Sequence, residues 1–506
     1  MVADLVKIVD VTLRDGEQTR GVSFSSQEKL SIAKMLLKEV KVDRLEVASA
    51  NVSEGEKETV KEICAWAKEE GLLEKVEVLG FVNNSSVDWL EEAGCKTMNM
   101  LAKGSEKHCR GQLRKEPEDH FADAQKVIEY AKSKGIAVNV YLEDWSNGIK
   151  DSKEYVFEFT KKLKETGISR LMLPDTLGIL DPMQVQKYLG EMKEVYPIEG
   201  MDFHGHNDYG LATANTLVAI NEGITAVHCT VNGLGERTGN APLAEVVAAI
   251  NDKSDFETSI DESALLKVAK FVERISGKKI PTNKPIVGDD VFTQTAGIHA
   301  DGDAKGNLYA NPLTPERFGR RREYALGKLS GKASLDHNLK ELKIDLTPEQ
   351  KKLVLAEVVA LGDKKENVTA EDLPYIIADV LKTPLDQHIK IIECNISSSL
   401  SKKPKASLKI KFNGSELNES AEGDGGYDAF MIALKKAAEK MKIEIPLLLD
   451  YEVRIPPGGK TDALVETTIT WKNGGKEFRT TGVDSDQVVA AIKATEKMLN
   501  SISLEK

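Results

Sequence analysis

This chain lacks the marks of several protein classes. Its five cysteines (Cys64, Cys95, Cys109, Cys229, Cys394) are scattered through 506 residues, and no two stand in a CxxC spacing. That scatter excludes a disulfide framework and a zinc ribbon. There is no basic excess: Lys and Arg number 69 against 81 Asp and Glu, a net charge of −12. Nucleic acid needs a basic footprint, so it is excluded as a partner. No apolar run is long enough to cross a bilayer. The start runs directly into a strand pattern rather than a signal peptide, so the expected compartment is the cytoplasm. What is present is ample apolar material, 41% of the chain, enough for two or three folded units.

From residue 5 to about 250, short apolar runs alternate with amphipathic helical stretches such as Ser26–Lys38 and His120–Lys134. The runs are Val6–Leu13, Val42–Ser49, Val76–Val82, Thr97–Leu101, Ala137–Leu142, Arg170–Leu173, Met201–Phe203 and Ala226–Val231. Alternating β and α predicts a parallel sheet, and eight such units predict a closed (β/α)8 TIM barrel. Residues 280–288 read as a proline-punctuated linker, 289–309 as a structured loop, and 314–382 as helical. The last 120 residues hold a loose internal repeat, in which alternating strands followed by one helix occur twice. The expected domains are a barrel over 1–279, a linker loop and helical subdomain over 280–385, and a C-terminal α+β repeat domain over 386–506.

Polar groups fall just past each apolar run: Arg14 and Asp15, Glu46 and Ser49, Tyr141 and Glu143, Asp175 and Thr176, His204 and His206, and Asn232. In a barrel these ends meet on the face where active sites sit. His204 and His206 alternate on one strand and so face the same way. Two imidazoles with Asp15 can hold one divalent metal and leave its shell partly open, which suits chemistry. A non-haem iron oxygenase also uses such a set, but parallel βα units fit its jelly roll poorly. Glu143 shares the strand parity of Tyr141 and can serve as a general base, whereas Asp144 reads as a helix N-cap. The loop 233–240 lacks both the Walker lysine and the dinucleotide fingerprint. It reads either as an anion site or as a plain turn. Arg320–Arg322 read either as a solvated helix face or as a phosphate contact.

Three motifs, Leu13–Gln18, His204–Asp208 and Gly235–Asn240, resemble the signatures of the 2-isopropylmalate, homocitrate and citramalate synthase family. The resemblance runs essentially end to end, includes Arg454–Gly459, and is nearest the pyruvate-using branch. It implies an acyltransferase that condenses acetyl-CoA with a 2-oxo acid around Mn2+, Mg2+ or Zn2+. The metal would be bound by Asp15, His204 and His206, with Asn240 beside it. Arg14 would polarise the keto group, and Glu143, with His299 and Tyr309, would serve catalysis. Leu79, Leu101, Tyr141 and Leu308 would line the substrate pocket, with Thr176, Asp301 and Asn307 also on the substrate. These walls are apolar and bulky, so pyruvate is expected, and a second substrate carboxylate would be desolvated without a partner. The resemblance also implies a homodimer with shared active sites, acting at the head of an isoleucine pathway. Isoleucine would be the effector, bound by Tyr427, Asp428, Leu448, Tyr451, Ile455 and Val465. Three alternatives stay open: a 2-isopropylmalate synthase, a lyase of the hydroxymethylglutaryl-CoA type, which would carry a cysteine absent from loop 233–240, and a non-catalytic amino-acid sensor.

Overall fold

In the computed structural model, which describes residues 5–363, 368–382, 389–412, 414–455 and 465–504, the eight apolar runs form one closed parallel barrel. Its strands are β1 (Lys7–Asp10), β2 (Arg44–Ser49), β3 (Val76–Phe81), β4 (Thr97–Lys103), β5 (Ala137–Glu143), β6 (Arg170–Asp175), β7 (Met201–Gly205) and β8 (Ala226–Cys229), and β8 pairs with β1 to close the ring. Residues pointing outward from the strands, among them Val47, Val78, Val140 and Leu171, are fully buried beneath the surrounding helices. Those helices start at legible signals. Helix Pro182–Met192 has proline in its first turn and a capping box between Asp181 and Gln184, and it buries Val185, Tyr188, Leu189 and Met192 on one face. Such a cap contributes about 1 kcal/mol, so Asp181→Ala would fray this helix first.

The strand ends differ from the sequence reading in an informative way. β4 to β7 each run one or two residues further than their apolar runs, to Lys103, Glu143, Asp175 and Gly205. At a barrel rim the last strand residues are polar because they face the mouth, so hydrophobicity stops before the hydrogen bonding does. β8 ends earlier, at Cys229, and Asn232 follows in a left-handed turn at φ 60°.

Contacts divide the chain into two compact units. One comprises 1–292 with 310–322, and the other 293–309 with 323–506. The expected boundary at 385–386 lies outside the described residues, as do 456–459 of the Arg454–Gly459 stretch. In the second unit, β9 (Thr293–Gln294) pairs with β10 (Glu323–Tyr324), and the loop expected at 289–309 contains helix Gly297–Ala304. Helices Lys332–Glu341, Pro348–Asp363 and Leu373–Leu381 share a small core that includes Leu335, Leu339, Val354 and Val358. The repeat appears as two antiparallel three-stranded sheets, β11 (Ile389–Ser399), β12 (Lys402–Phe412) and β13 (Ser415–Glu422), then β14 (Leu447–Arg454), β15 (Val465–Asn473) and β16 (Lys476–Asp484). Each is followed by one helix, Gly426–Met441 or Gln487–Leu504.

Candidate active site and metal centre

Asp15 follows β1, and His204 and His206 end β7, so strand order brings residues 189 or more apart in sequence onto one rim. The two Nε2 atoms are 3.3 Å apart, and they lie 3.8 and 3.9 Å from Asp15 Oδ2. Ligands bound at about 2.0–2.2 Å to one cation are separated by roughly this much. Among the described residues, this is the one group of three or more His, Cys, Asp and Glu side chains whose ligand atoms converge. All three residues are buried. Burial and its neighbours hold both imidazoles below the ordinary histidine range, hence neutral, the form that coordinates a metal. Burial alone would raise the Asp15 carboxyl, but the Arg14 guanidinium, helped by the Asn240 hydrogen bond, outweighs it and holds the group well below the usual range.

Asn240 donates through Nδ2 to Asp15 Oδ1 (2.8 Å) and to the Leu234 carbonyl (3.0 Å). Its buried Oδ1 has no hydrogen-bond partner. Its link to a metal would therefore run through that spare oxygen, while its nitrogen fixes Asp15. A glycine is needed beside it: a Cβ on Gly235 would stand 2.2 Å from Asn240 Nδ2 and 3.0 Å from Asp15 Oδ1. The loop is tied down at Gly235, whose N–H donates to Thr19 Oγ1 (2.7 Å), and at Arg237, which holds Asp208 and the Thr176 carbonyl. The orphaned oxygen, the converging nitrogens and the neutral imidazoles all fit a divalent cation.

Arg14 donates through Nε to Glu46, through Nη1 to Asp15 (2.5 Å) and through Nη2 to Tyr141 Oη (3.3 Å). A guanidinium has five N–H groups, so two remain for a substrate. Glu46 also accepts from Asn99 (2.7 Å), and below it the lumen holds further charged groups. Asn99 and Arg44 each donate to Glu77 at 3.0 Å, while Arg44 and Arg170 both hold Asp202. All of these point inward by the period-2 rule.

Leu79, Tyr141 and Met172 form one buried apolar cluster with Leu101 packed against it. It adjoins the Asp15–His204–His206 cluster through Tyr141, whose ring lies 5.5 Å from the Arg14 guanidinium and 6.0 Å from the His204 ring. At the rim, Glu143 is paired with Lys103, its register partner on β4. Thr176 Oγ1 accepts from the Asp144 N–H (2.9 Å). Asp144 does occupy an N-cap position, but its side chain makes no cap; it accepts from Ser105 and Asn147 instead, each at 2.7 Å.

The remaining expected site residues belong to the second unit. There the His299 and Tyr309 rings lie 4.3 Å apart and His299 Nδ1 meets Gln294 Oε1 at 3.2 Å. Asp301 pairs with Lys305, Asn307 is left-handed at φ 54°, and Leu308 is 71% exposed. Tyr427 and Tyr451 stack at 5.1 Å, joining the two repeat copies, and the Tyr427 hydroxyl meets Thr495. Leu448 packs against that core, Val465 is buried, Ile455 is exposed, and Asp428 accepts from the Asp424 N–H.

Two suggestions change. Asn232 turns its amide to the Ala269 carbonyl (2.9 Å), and Arg320 donates to the carbonyls of Ile286, Gly288 and Asp289. Both serve the backbone, which a sequence pattern cannot reveal. Lys103, Met172 and His228 were overlooked. Counting by twos along β4, β6 and β8 would have found them, because they share parity with Leu101, Arg170 and Ala226.

A family model described as HMGL-like matches residues 5–272. A homocitrate synthase post-HMGL domain-like model matches 286–366, and a LeuA allosteric (dimerisation) domain model matches 367–503. An (R)-citramalate synthase from Methanocaldococcus jannaschii is 34% identical over 98% of this chain and 99% of its own length. A 2-isopropylmalate synthase from the same organism is 33% identical over 99% of this chain and 95% of its own. With a barrel model over half its length, a LeuA domain behind it and full-length relatives of both kinds, this chain belongs to the HMGL-like family.

Proposed function

We propose that this enzyme condenses acetyl-CoA with pyruvate and water to give (R)-citramalate and CoA, opening a route to isoleucine. The observation that carries this reading is the small, closed apolar wall of Leu79, Leu101, Tyr141 and Met172 set beside Arg14 and the Asp15–His204–His206 cluster. A 2-oxo acid has an oxygen-rich end for the cation and Arg14, and a tail for the wall. The cation beside that wall, Arg14, is taken up by the oxygen-rich end, so 2-oxoglutarate would bury a second carboxylate unpaired. Two leucines, a tyrosine and a methionine leave room for a methyl group more readily than for an isopropyl.

A divalent cation held by Asp15, His204 and His206, with Asn240 Oδ1 available, would supply Lewis-acid polarisation of the keto group. The two free N–H groups of Arg14 meet the negative charge that grows on the keto oxygen. Glu143, held at the mouth by Lys103, takes the proton from the acetyl methyl group, and the resulting carbon nucleophile attacks the keto carbon. Water then cleaves the thioester and releases CoA. His299 and Tyr309 assist from the 297–309 segment, with Asp301, Asn307 and Leu308 beside them and Thr176 on the barrel rim. The C-terminal repeats, matching a LeuA dimerisation domain, support a homodimer with isoleucine as feedback effector at Tyr427, Asp428, Leu448, Tyr451, Ile455 and Val465. The expected domain division, 1–279, 280–385 and 386–506, belongs to the same proposal.

The test is release of free CoA thiol from acetyl-CoA with Mn2+, run in parallel with pyruvate, 2-oxobutyrate, 2-oxoisovalerate and 2-oxoglutarate. Fastest release with pyruvate supports the reading. A preference for 2-oxoisovalerate keeps the chemistry and makes the enzyme a 2-isopropylmalate synthase, the activity named for a relative almost as similar. No release with any of them overturns it.

A further inference from the structure

One buried group beside the active site has no part in that chemistry. His228, on β8 opposite His204, is 1% exposed. Its Nδ1 lies 2.8 Å from the Tyr141 hydroxyl and its Nε2 lies 3.3 Å from Asp202 Oδ2. The Tyr141 oxygen is in turn the acceptor for Arg14 Nη2 at 3.3 Å. The chain Asp202–His228–Tyr141–Arg14 thus runs from the charged floor of the lumen to the reacting end.

The ring nitrogens of His228 admit either tautomer, and their partners select one. Asp202 is held by Arg44 and Arg170, two guanidinium groups that pair with it as a carboxylate. A carboxylate has no proton to give, so His228 Nε2 must donate to it. With its one proton on Nε2 the imidazole is bare on Nδ1, and the Tyr141 hydroxyl donates there. Its lone pairs are then left facing Arg14. In the opposite tautomer the bare Nε2 would face the Asp202 carboxylate, acceptor against acceptor.

We propose that His228 is a positioning residue: anchored by Asp202, it orients the Tyr141 hydroxyl as an acceptor for Arg14, and so sets the aim of the two N–H groups that Arg14 offers the 2-oxo acid. The inference rests on the functional reading above for the identity of the substrate, but not for the orientation itself. It also gives Tyr141 a role beyond an apolar wall, since its ring shapes the pocket while its oxygen steers the arginine.

The test is a double-mutant cycle on the full-length, Mn2+-loaded enzyme, read as kcat/KM for pyruvate and KM for acetyl-CoA. His228→Phe keeps the ring shape and removes both nitrogens. It should lower kcat/KM for pyruvate about 10–100-fold while KM for acetyl-CoA stays within about twofold of the parent. His228→Asn, whose amide oxygen can stand where Nδ1 stood, should restore most of that loss. In a Tyr141→Phe background, His228→Phe should cost less than about threefold further, because it has no hydroxyl left to act through. Equal losses in both backgrounds, or His228→Asn as damaged as His228→Phe, would overturn the proposal. A second readout needs neither turnover nor a stable phenylalanine variant. In the 15N-histidine-labelled parent, the imidazole missing from the His228→Asn spectrum should be protonated on Nε2 and accepting on Nδ1. An Nδ1-protonated ring there sinks the proposal, whereas a parent enzyme that releases no CoA with any 2-oxo acid counts only against the functional reading.

Discussion

Inside the barrel, buried Glu46, Glu77 and Asp202 meet half-buried Arg44 and Arg170 in a network joined by Asn99 and Asn139; beneath the C-terminal sheets, Ile410, Phe430, Trp471 and Leu499 are buried among other apolar side chains. The second arrangement is the ordinary one, in which apolar area removed from water stabilises the fold at roughly 25 cal/mol per Å². The first is a poor way to gain stability, because desolvating two charges costs about as much as their attraction returns. What it supplies is orientation. Each charged group in the lumen has one set of partners, and the set ends at Arg14 and Tyr141. The lumen is therefore organised around chemistry and the repeat core around cohesion, and substitutions in the two regions should fail differently.

The sharpest break is His206→Ala. It should bring CoA release below detection and abolish Mn2+ binding by calorimetry, with the thermal midpoint of the metal-free protein moving little. Phe430→Ala should do the reverse, costing about 3–5 kcal/mol of stability in chemical denaturation. Below its unfolding transition its turnover with pyruvate should match the parent. Arg14→Lys keeps the charge and loses the planar fork, so kcat should fall about 10²–10³-fold, the loss expected for one preorganised donor at developing charge. Leu79→Ala should move preference from pyruvate toward 2-oxobutyrate and 2-oxoisovalerate by about 1–3 kcal/mol, measured as a ratio of kcat/KM values.

The smallest effect concerns a lone buried carboxyl outside the lumen network. Burial pushes Asp10 up from 3.8 to about 7, against the hydrogen bonds it accepts from Thr12. The folded chain then holds a proton that the unfolded chain has released, so this group favours folding below pH 3.8 and loses that contribution as pH rises to about 7. Asp10→Asn removes the loss. Its thermal midpoint should match the parent near pH 4 and exceed it at pH 8; an unchanged difference across that range would show that the site is not titrating.

The barrel was legible because eight apolar runs and their helices follow two plain periods. His204 and His206 were legible because alternation on a strand is geometry. The lumen network was not, because Arg44, Glu77, Asn99 and Asp202 read singly as ordinary polar residues. Counting by twos from Glu46, Leu101 and His204 puts Arg44, Asn99 and Asp202 inside, but the register, Glu46 opposite Glu77 and Leu101 opposite Tyr141, is needed to show which of them meet. Lys103 was hidden by the same effect, lying two residues past the point where hydrophobicity ends. Asn232 and Arg320 misled because a side chain that serves a distant carbonyl leaves no local pattern.

The hydrogen bond from Asn240 to Asp15 spans 225 residues, and it joins the loops after the first and last strands of the ring. Asp15 therefore leaves the ribosome roughly 10–45 s before its partner, at 5–20 residues per second. For most of that interval neither histidine has been made, and the Gly235 loop follows both. Metal capture at the proposed site would thus be a late event in the life of the nascent chain, because its first ligand waits for the seventh strand.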